Sequence, residues 1–258
     1  MRPPICGSRS LGILAAGDDD AVWRGRLSRK VMNPLSIIIP SKTDANLGAC
    51  VRAIRAAGET ATVIVVDDFD GPTRFLLPCD EPIDWQMGVK PFVFARNINI
   101  GIQAAAGDVV LLNDDAMLKT PHGFTAMQRV ATAHPEYGLI AATCNNVGNR
   151  SQWPQARTGV RDEPRMVCFV CVFIPRGTLE AVGLLDERFV GYGCDDDDYC
   201  LRVRKAGLKI GIFDGCFVDH STLRSTFRGR VLAGNYQPNL KVFAEKWGAM
   251  EGAQVGKF

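Results

Sequence analysis

The sequence lacks any apolar run long enough to cross a bilayer, which takes about 20 residues; its most apolar stretch, Val167–Ile174, has the length of a strand. It also lacks a charge excess, with 30 basic against 28 acidic residues and a net charge of +2. That small excess sits in residues 1–31, where Arg2, Arg9, Arg24, Arg26, Arg29 and Lys30 outnumber Asp18, Asp19 and Asp20. The remaining body is near neutral and has no basic stripe, so nucleic acid is not an expected partner. No GxGxxG follows the first strand-like segment, which argues against a dinucleotide-binding dehydrogenase. Cysteine is not scarce, but nine is an odd number in a chain long enough to build a core without disulfides. The thiols are therefore expected to act as small core residues in a reducing, cytoplasmic setting. Cys168 and Cys171 have half the spacing of a zinc site, yet they lie inside an apolar run with no second pair.

What is present is ordinary globular composition, 47% hydrophobic and 22% charged, which excludes wholesale disorder. Residues 1–33 show no sustained period of 2 or 3.6. The apolar stretch Leu11–Ala16 is too short for a signal peptide. These residues are expected to form a disordered leader, or to lie upstream of a natural start at Met32. Residues 34–248 read as one domain and 249–258 as a flexible tail.

From Leu35 strand and helix signals alternate. Ser36–Pro40 and Thr62–Val66 are short continuous apolar runs, the mark of strands covered on both faces. Pro91–Phe94 and Val109–Leu112 read as a third and fourth strand. Between them lie a helix with Leu47, Val51 and Ile54 on one face, capped by Asn46 and stopped at Gly58, and another capped by Asn97 with Ile98, Ile102 and Ala105 inward. Further helices are expected over 122–133 and 196–206. This alternation predicts an α/β domain with a mostly parallel central sheet flanked by helices.

In such sheets ligands bind beyond the carboxyl ends of the strands. Two strands here end in acidic pairs, Asp67-Asp68 and Asp114-Asp115. One pair alone would read as a turn or cap; two on one rim suit a hard divalent cation, which takes oxygen ligands and bridges protein to phosphate. A third acidic cluster, Asp195–Asp198, opens the helix 196–206. Part of it compensates the helix dipole, but four adjacent carboxylates exceed what a cap needs, and their repulsion raises at least one pKa toward that of a general base. The run is not an EF-hand, since Cys200 and Ala206 stand where that loop needs Gly and Glu. Of three histidines, His122 and His134 belong to a helix surface, whereas His220 follows the strand-like Cys216–Asp219, where a neutral imidazole can ligate manganese.

In this order, SIIIP, VVDD, ARNINIGIQAAAGDVVLLNDDA, GLLDERFVGYGCDDDDYCLRVRKAG and VDHS, the sequence resembles a family-2 glycosyltransferase of the GT-A fold, from about Leu35 to Trp247. The segment Tyr236–Gly248 is similar to the closing helix of such enzymes, with Leu240, Phe243, Ala244 and Trp247 as its buried face. The resemblance implies a single GT-A domain, a Rossmann-like nucleotide-sugar half joined to an acceptor half. It implies transfer of a sugar from a nucleotide-diphospho-sugar to a glycan or other hydroxyl-bearing acceptor, with inversion and with Mn2+ or Mg2+.

Carried over residue by residue, Pro40, Ser41, Asp67, Arg96, Asn97, Asn113 and Asp114 fall on the donor nucleotide. Asn113-Asp114-Asp115 takes the place of the DxD motif with Asn113 replacing the first acid. Asp115 and His220 become the metal ligands. Asp196 becomes the catalytic base, with Asp195 where Glu is commoner. Trp153 and Asp195 are acceptor-side candidates, as are the amides between Asn145 and Gln152 and the end of the apolar strand at Arg176. The polar Arg161–Arg165 is a candidate lid. Two other classes use similar parts. A nucleotidyltransferase brings a Gly-rich basic loop after the first strand, which PSKTDANLG is not, although Lys42 keeps that option open. A non-catalytic nucleotide-sugar binding module would not need Asp115, Asp196 and His220 intact.

Overall fold

The computed structural model describes residues 32–42, 44–69, 82–221 and 237–248, so the expected leader and tail lie outside the described residues. In chain order the elements are β1 (Leu35–Ser41), α1 (Asp44–Ala56), β2 (Thr62–Asp67), β3 (Ile83–Met87), α2 (Phe94–Ala104), β4 (Asp108–Leu112), β5 (Met117–Leu118) and α3 (Gly123–Ala133). They continue with β6 (Tyr137–Cys144), a 3-10 turn at Arg150–Gln152, β7 (Val160–Asp162), β8 (Cys171–Ile174), α4 (Arg176–Val182), α5 (Asp195–Lys205), β9 (Lys209–Asp219) and α6 (Gln237–Trp247).

The strands form one nine-stranded sheet in the order β3-β2-β1-β4-β8-β6-β9-β5, with β7 also paired to β9. β3, β2, β1 and β4 are all parallel, as the continuous apolar runs of β1, β2 and β4 predict. β8 then runs antiparallel between β4 and β6, and the half beyond it is mixed. Side chains alternate across β1. Ile37 and Ile39 join Leu47, Val51 and Ile54 of α1 and Phe124 and Met127 of α3 on one face. Ile38 joins Ile98 and Ile102 of α2 and Tyr199 and Val203 of α5 on the other. α2 lies so close to β1 that a methyl group on Gly101 would stand 2.3 Å from the Ile38 Cγ2 atom.

Three local expectations are corrected. The third strand is Ile83–Met87, not Pro91–Phe94. Ile83–Met87 is an edge strand, half exposed, so it carries polar residues and no continuous apolar run. Phe92 and Val93 are buried because they seat the entry to α2, with Val93 in the cap position. Asn97 is therefore inside α2 and not its cap, and Asn46 likewise lies inside α1. The expected lid at Arg161–Arg165 is instead tied down. Arg161 and Asp162 pair with β9, the Arg161 guanidinium holds Asp214 at 2.8 Å, and Glu163 is buried.

Candidate active site at the carboxyl rim

Chain reversal beside β1 creates the site. β2 pairs with one side of β1 and β4 with the other, so a crevice opens at the carboxyl ends of β1 and β4. Asn113–Ala116 closes a tight turn there, with the Ala116 N–H donating to the Asn113 carbonyl at 3.1 Å. The Cys50 thiol packs beneath, 3.5 Å from the Ala116 carbonyl oxygen. The turn sends its two acids opposite ways. Asp114 turns back to β1 and accepts from the Ser41 hydroxyl at 2.9 Å. Burial, then repulsion from Asp115, pushes its carboxyl up to about 6, against hydrogen bonds from Ser41, the Lys42 backbone and Asn46.

Asp115 faces the end of β9, its Oδ1 3.1 Å from the His220 Nε2 atom, and both side chains are largely buried. The other ring nitrogen, Nδ1, lies 3.1 Å from the Asn146 carbonyl oxygen and so carries a proton. Nε2 then meets the carboxylate either as part of an imidazolium or through a cation held between them. Burial opposes protonation, but Asp115 and the Asn146 carbonyl outweigh it, so the imidazole pKa is raised.

Behind this pair Asn145 and Asn146 fasten the strand end. Asn145 accepts from the His220 N–H at 2.7 Å and donates to Asp219 at 3.0 Å, and the Asn146 amide donates to the His220 carbonyl at 3.2 Å. Asn146 does this from a left-handed conformation (φ 53°), which Asn tolerates better than most residues. Among the described residues no third carboxylate, imidazole or thiol joins Asp115 and His220. The donor set therefore fits a divalent ion shared with a ligand's oxygens, not one caged by protein.

The four acids that open α5 divide. Asp198 is fully buried and neutralised by Arg202 at 2.9 Å, Lys246 at 2.7 Å and the Trp247 indole N–H at 2.8 Å. Among the described residues no cation pairs with Asp195, Asp196 or Asp197. Burial and mutual repulsion push the Asp196 carboxyl well above the ordinary range; burial likewise takes Asp195 and Asp197 to about 6. Tyr192 links the two acidic groups: its hydroxyl pKa is raised by burial and by the charges of Asp196, Asp195 and Asp115 together.

Residues 33–233 match the family described as Glycosyltransferase like family 2. The chain belongs to glycosyltransferase family 2. Among solved structures it is similar to GalNAc-T7 determined with UDP, GalNAc and Mn2+, with a TM-score of 0.62 and 11% identity. That match covers 74% of this chain and 44% of the other, so the chain spans less than half the length of that structure and shares its GT-A fold. No curated protein matches.

In this family-2 chain the other expected site residues fall as follows. Pro40 and Ser41 end β1, with Ser41 in register beside Asp67. Asp67 accepts from the Phe69 N–H at 3.0 Å, shaping the loop beyond β2. Asn97 is fully buried, its Oδ1 3.4 Å from the Val89 N–H. Burial raises the Asp68 carboxyl, and Lys90 and a hydrogen bond from Asn97 work against that rise. Arg96 turns toward Glu187, at 3.6 Å.

Asn113 is half-buried on the rim, its N–H bound to the Val170 carbonyl at 3.0 Å. Trp153 is 45% exposed on a loop fixed by its own indole N–H to the Val147 carbonyl and by Gln152, whose amide bonds both backbone groups of Cys168. Reasoning from sequence missed Tyr192, the coupling of Asn46 to Asp114, and the fastening role of Asn145 and Asn146. The adjacent asparagines were visible as amides but were assigned to an acceptor. Their place directly after a strand was the available signal for a turn that needs a left-handed residue.

Proposed function

We propose that the protein is an inverting, divalent-metal-dependent glycosyltransferase that moves a sugar from a nucleotide-diphospho-sugar to an acceptor hydroxyl. The observation that carries this reading is the pairing of Asp115 with His220, 3.1 Å apart where the turn after β4 meets the end of β9, in a chain of glycosyltransferase family 2. Asp115 and His220 would hold the ion together with diphosphate oxygens. When bound, the ion supplies positive charge where the leaving diphosphate gains negative charge. The chain's own residues do the rest. Ser41 and Asn46 hold Asp114 in place beneath the crevice. Asp67 and Asn97 line the nucleoside end of this scheme, beyond the carboxyl end of β2.

Asp196 takes the proton of the acceptor hydroxyl as that oxygen attacks the anomeric carbon. Its raised pKa makes it a stronger base than an ordinary carboxylate. Attack from the side opposite the diphosphate inverts the anomeric centre. Trp153 and Asp195 are the acceptor-side residues of this scheme. The GalNAc-T7 structure holds UDP and Mn2+, so UDP-sugars are the first donors to try.

The test is release of nucleoside diphosphate from a panel of UDP-, GDP- and dTDP-sugars with Mn2+ or Mg2+, with and without simple sugar acceptors, followed by determination of the product's anomeric configuration. Metal-dependent release with an inverted product is expected. Release unaffected by chelator, or a retained configuration, would overturn the respective part.

A further inference from the structure

The loop that delivers Asp196 is held by the last helix of the domain. Asn239 of α6 is fully buried, and both ends of its amide are spent on the backbone of the loop before α5. Its Oδ1 accepts from the Gly191 N–H at 3.0 Å, and its Nδ2 donates to the Gly193 carbonyl at 2.6 Å. Immediately after this clasp, Gly193 (φ 80°) and Cys194 (φ 69°) are both left-handed, and Cys194 is a non-glycine residue at the cap of α5 with no side-chain cap bond. Such a conformation persists only where its surroundings enforce it.

Here α6 enforces it twice, through Asn239 on the backbone and through Phe243, which packs with Phe189 and Cys194 in a separate small core. Past Cys194, the same helix takes hold again: Lys246 and Trp247 bind Asp198, one turn into α5. Asp195, Asp196 and Asp197 lie between the two attachments and are free of cations among the described residues.

We propose that α6 is a positioning element for the general base, with Asn239 as its principal residue, so that the clasp on Gly191 and Gly193 sets where the Asp196 carboxylate points. The proposal rests on the reading of Asp196 as the base. A base displaced by about 1 Å loses on the order of 100-fold in rate while the donor still binds.

The experiment compares Asn239→Ala with Trp247→Phe, which removes one hydrogen bond but keeps the ring, and with Glu59→Ala, which destabilises a distant helix cap. Amide hydrogen exchange of the full chain needs no ligand. Faster exchange confined to residues 189–198 is expected in Asn239→Ala, and unchanged exchange there would overturn the proposal. In turnover of a UDP-sugar with Mn2+, kcat should fall about 10- to 100-fold in Asn239→Ala and several-fold in Trp247→Phe, with the donor KM within about twofold of the parent. Per folded molecule, Glu59→Ala should match the parent. A kcat loss in Asn239→Ala no greater than in Glu59→Ala would sink the positioning role. Full turnover in Asp196→Asn would instead sink the base assignment, whatever the exchange data show.

Discussion

The two rims of the parallel half of the sheet use buried carboxylates in opposite ways. At the amino rim, Asp108 accepts from the Asn33 amide at 3.0 Å, the Gln128 amide at 2.9 Å and the Arg176 N–H at 2.8 Å. Glu59 nearby accepts from the Phe124 and Thr125 N–H groups at 2.7 and 3.1 Å and from the Thr125 hydroxyl at 2.7 Å. Each acid there is surrounded by donors and caps a helix that another part of the chain begins. At the carboxyl rim, Asp114 lies beside Asp115, and Asp195, Asp196 and Asp197 lie beside one another, with repulsion raising pKa values on both sides. Burial is common to both rims. What differs is the company: Asp114 also has donors in Ser41, Asn46 and the Lys42 backbone, but the acids of the carboxyl rim crowd one another, whereas Asp108 and Glu59 each stand alone among donors.

The sharpest way to break this comparison is to remove one carboxylate charge at each rim. Asp196→Asn is expected to lower kcat by about 100- to 10,000-fold with nucleoside diphosphate affinity retained, measured by turnover and calorimetry. At the other rim, Asp108→Ala is expected to cost about 3 kcal/mol by stranding three donors, read as a lower urea midpoint, with kcat per folded molecule unchanged. If Asp108→Ala instead lowered kcat without loss of stability, the division between rims would fail.

A third effect is smaller. Chelation should weaken nucleoside diphosphate binding about tenfold in the parent, and His220→Ala should abolish that difference. The smallest concerns pH. Asp195 and Asp197 titrate near 6 in the folded protein, above their ordinary value of 3.8. Between those values the native state binds more protons than the unfolded one. The stability they contribute is therefore present below pH about 4 and lost as pH rises through 6. Relative to an Asp195→Asn/Asp197→Asn double variant, the parent should lose more stability between pH 4 and 7, measured by urea denaturation.

Much of the crowding of acids could be read from sequence, because buried parallel strands announce themselves as apolar runs and acids stand directly after them. β1, β2 and β4 were legible for that reason, as was the approach of Asp115 to His220. The elements that escaped had weaker local signals. β3 is an edge strand with polar residues, and β6 begins Tyr-Gly-Leu and continues with two alanines, whose small side chains carry little strand character. The sequence separation between Asn239 and Gly191, or between Asn145 and His220, hides the hydrogen bonds that hold the site. Asp198 was indistinguishable from its three neighbours in the run, because its partners Lys246 and Trp247 come from the far end of the chain.

The reversal of β8 has a further effect on how such a protein can change. Because that strand enters the sheet opposite Leu112 and leaves it opposite Val109, the chain between β6 and β8 is anchored at both ends and again midway, where β7 pairs with β9. The turns on either side of β7 can therefore change in length and composition while the sheet, and the hold of Asn145 and Asn146 on His220, stay as they are.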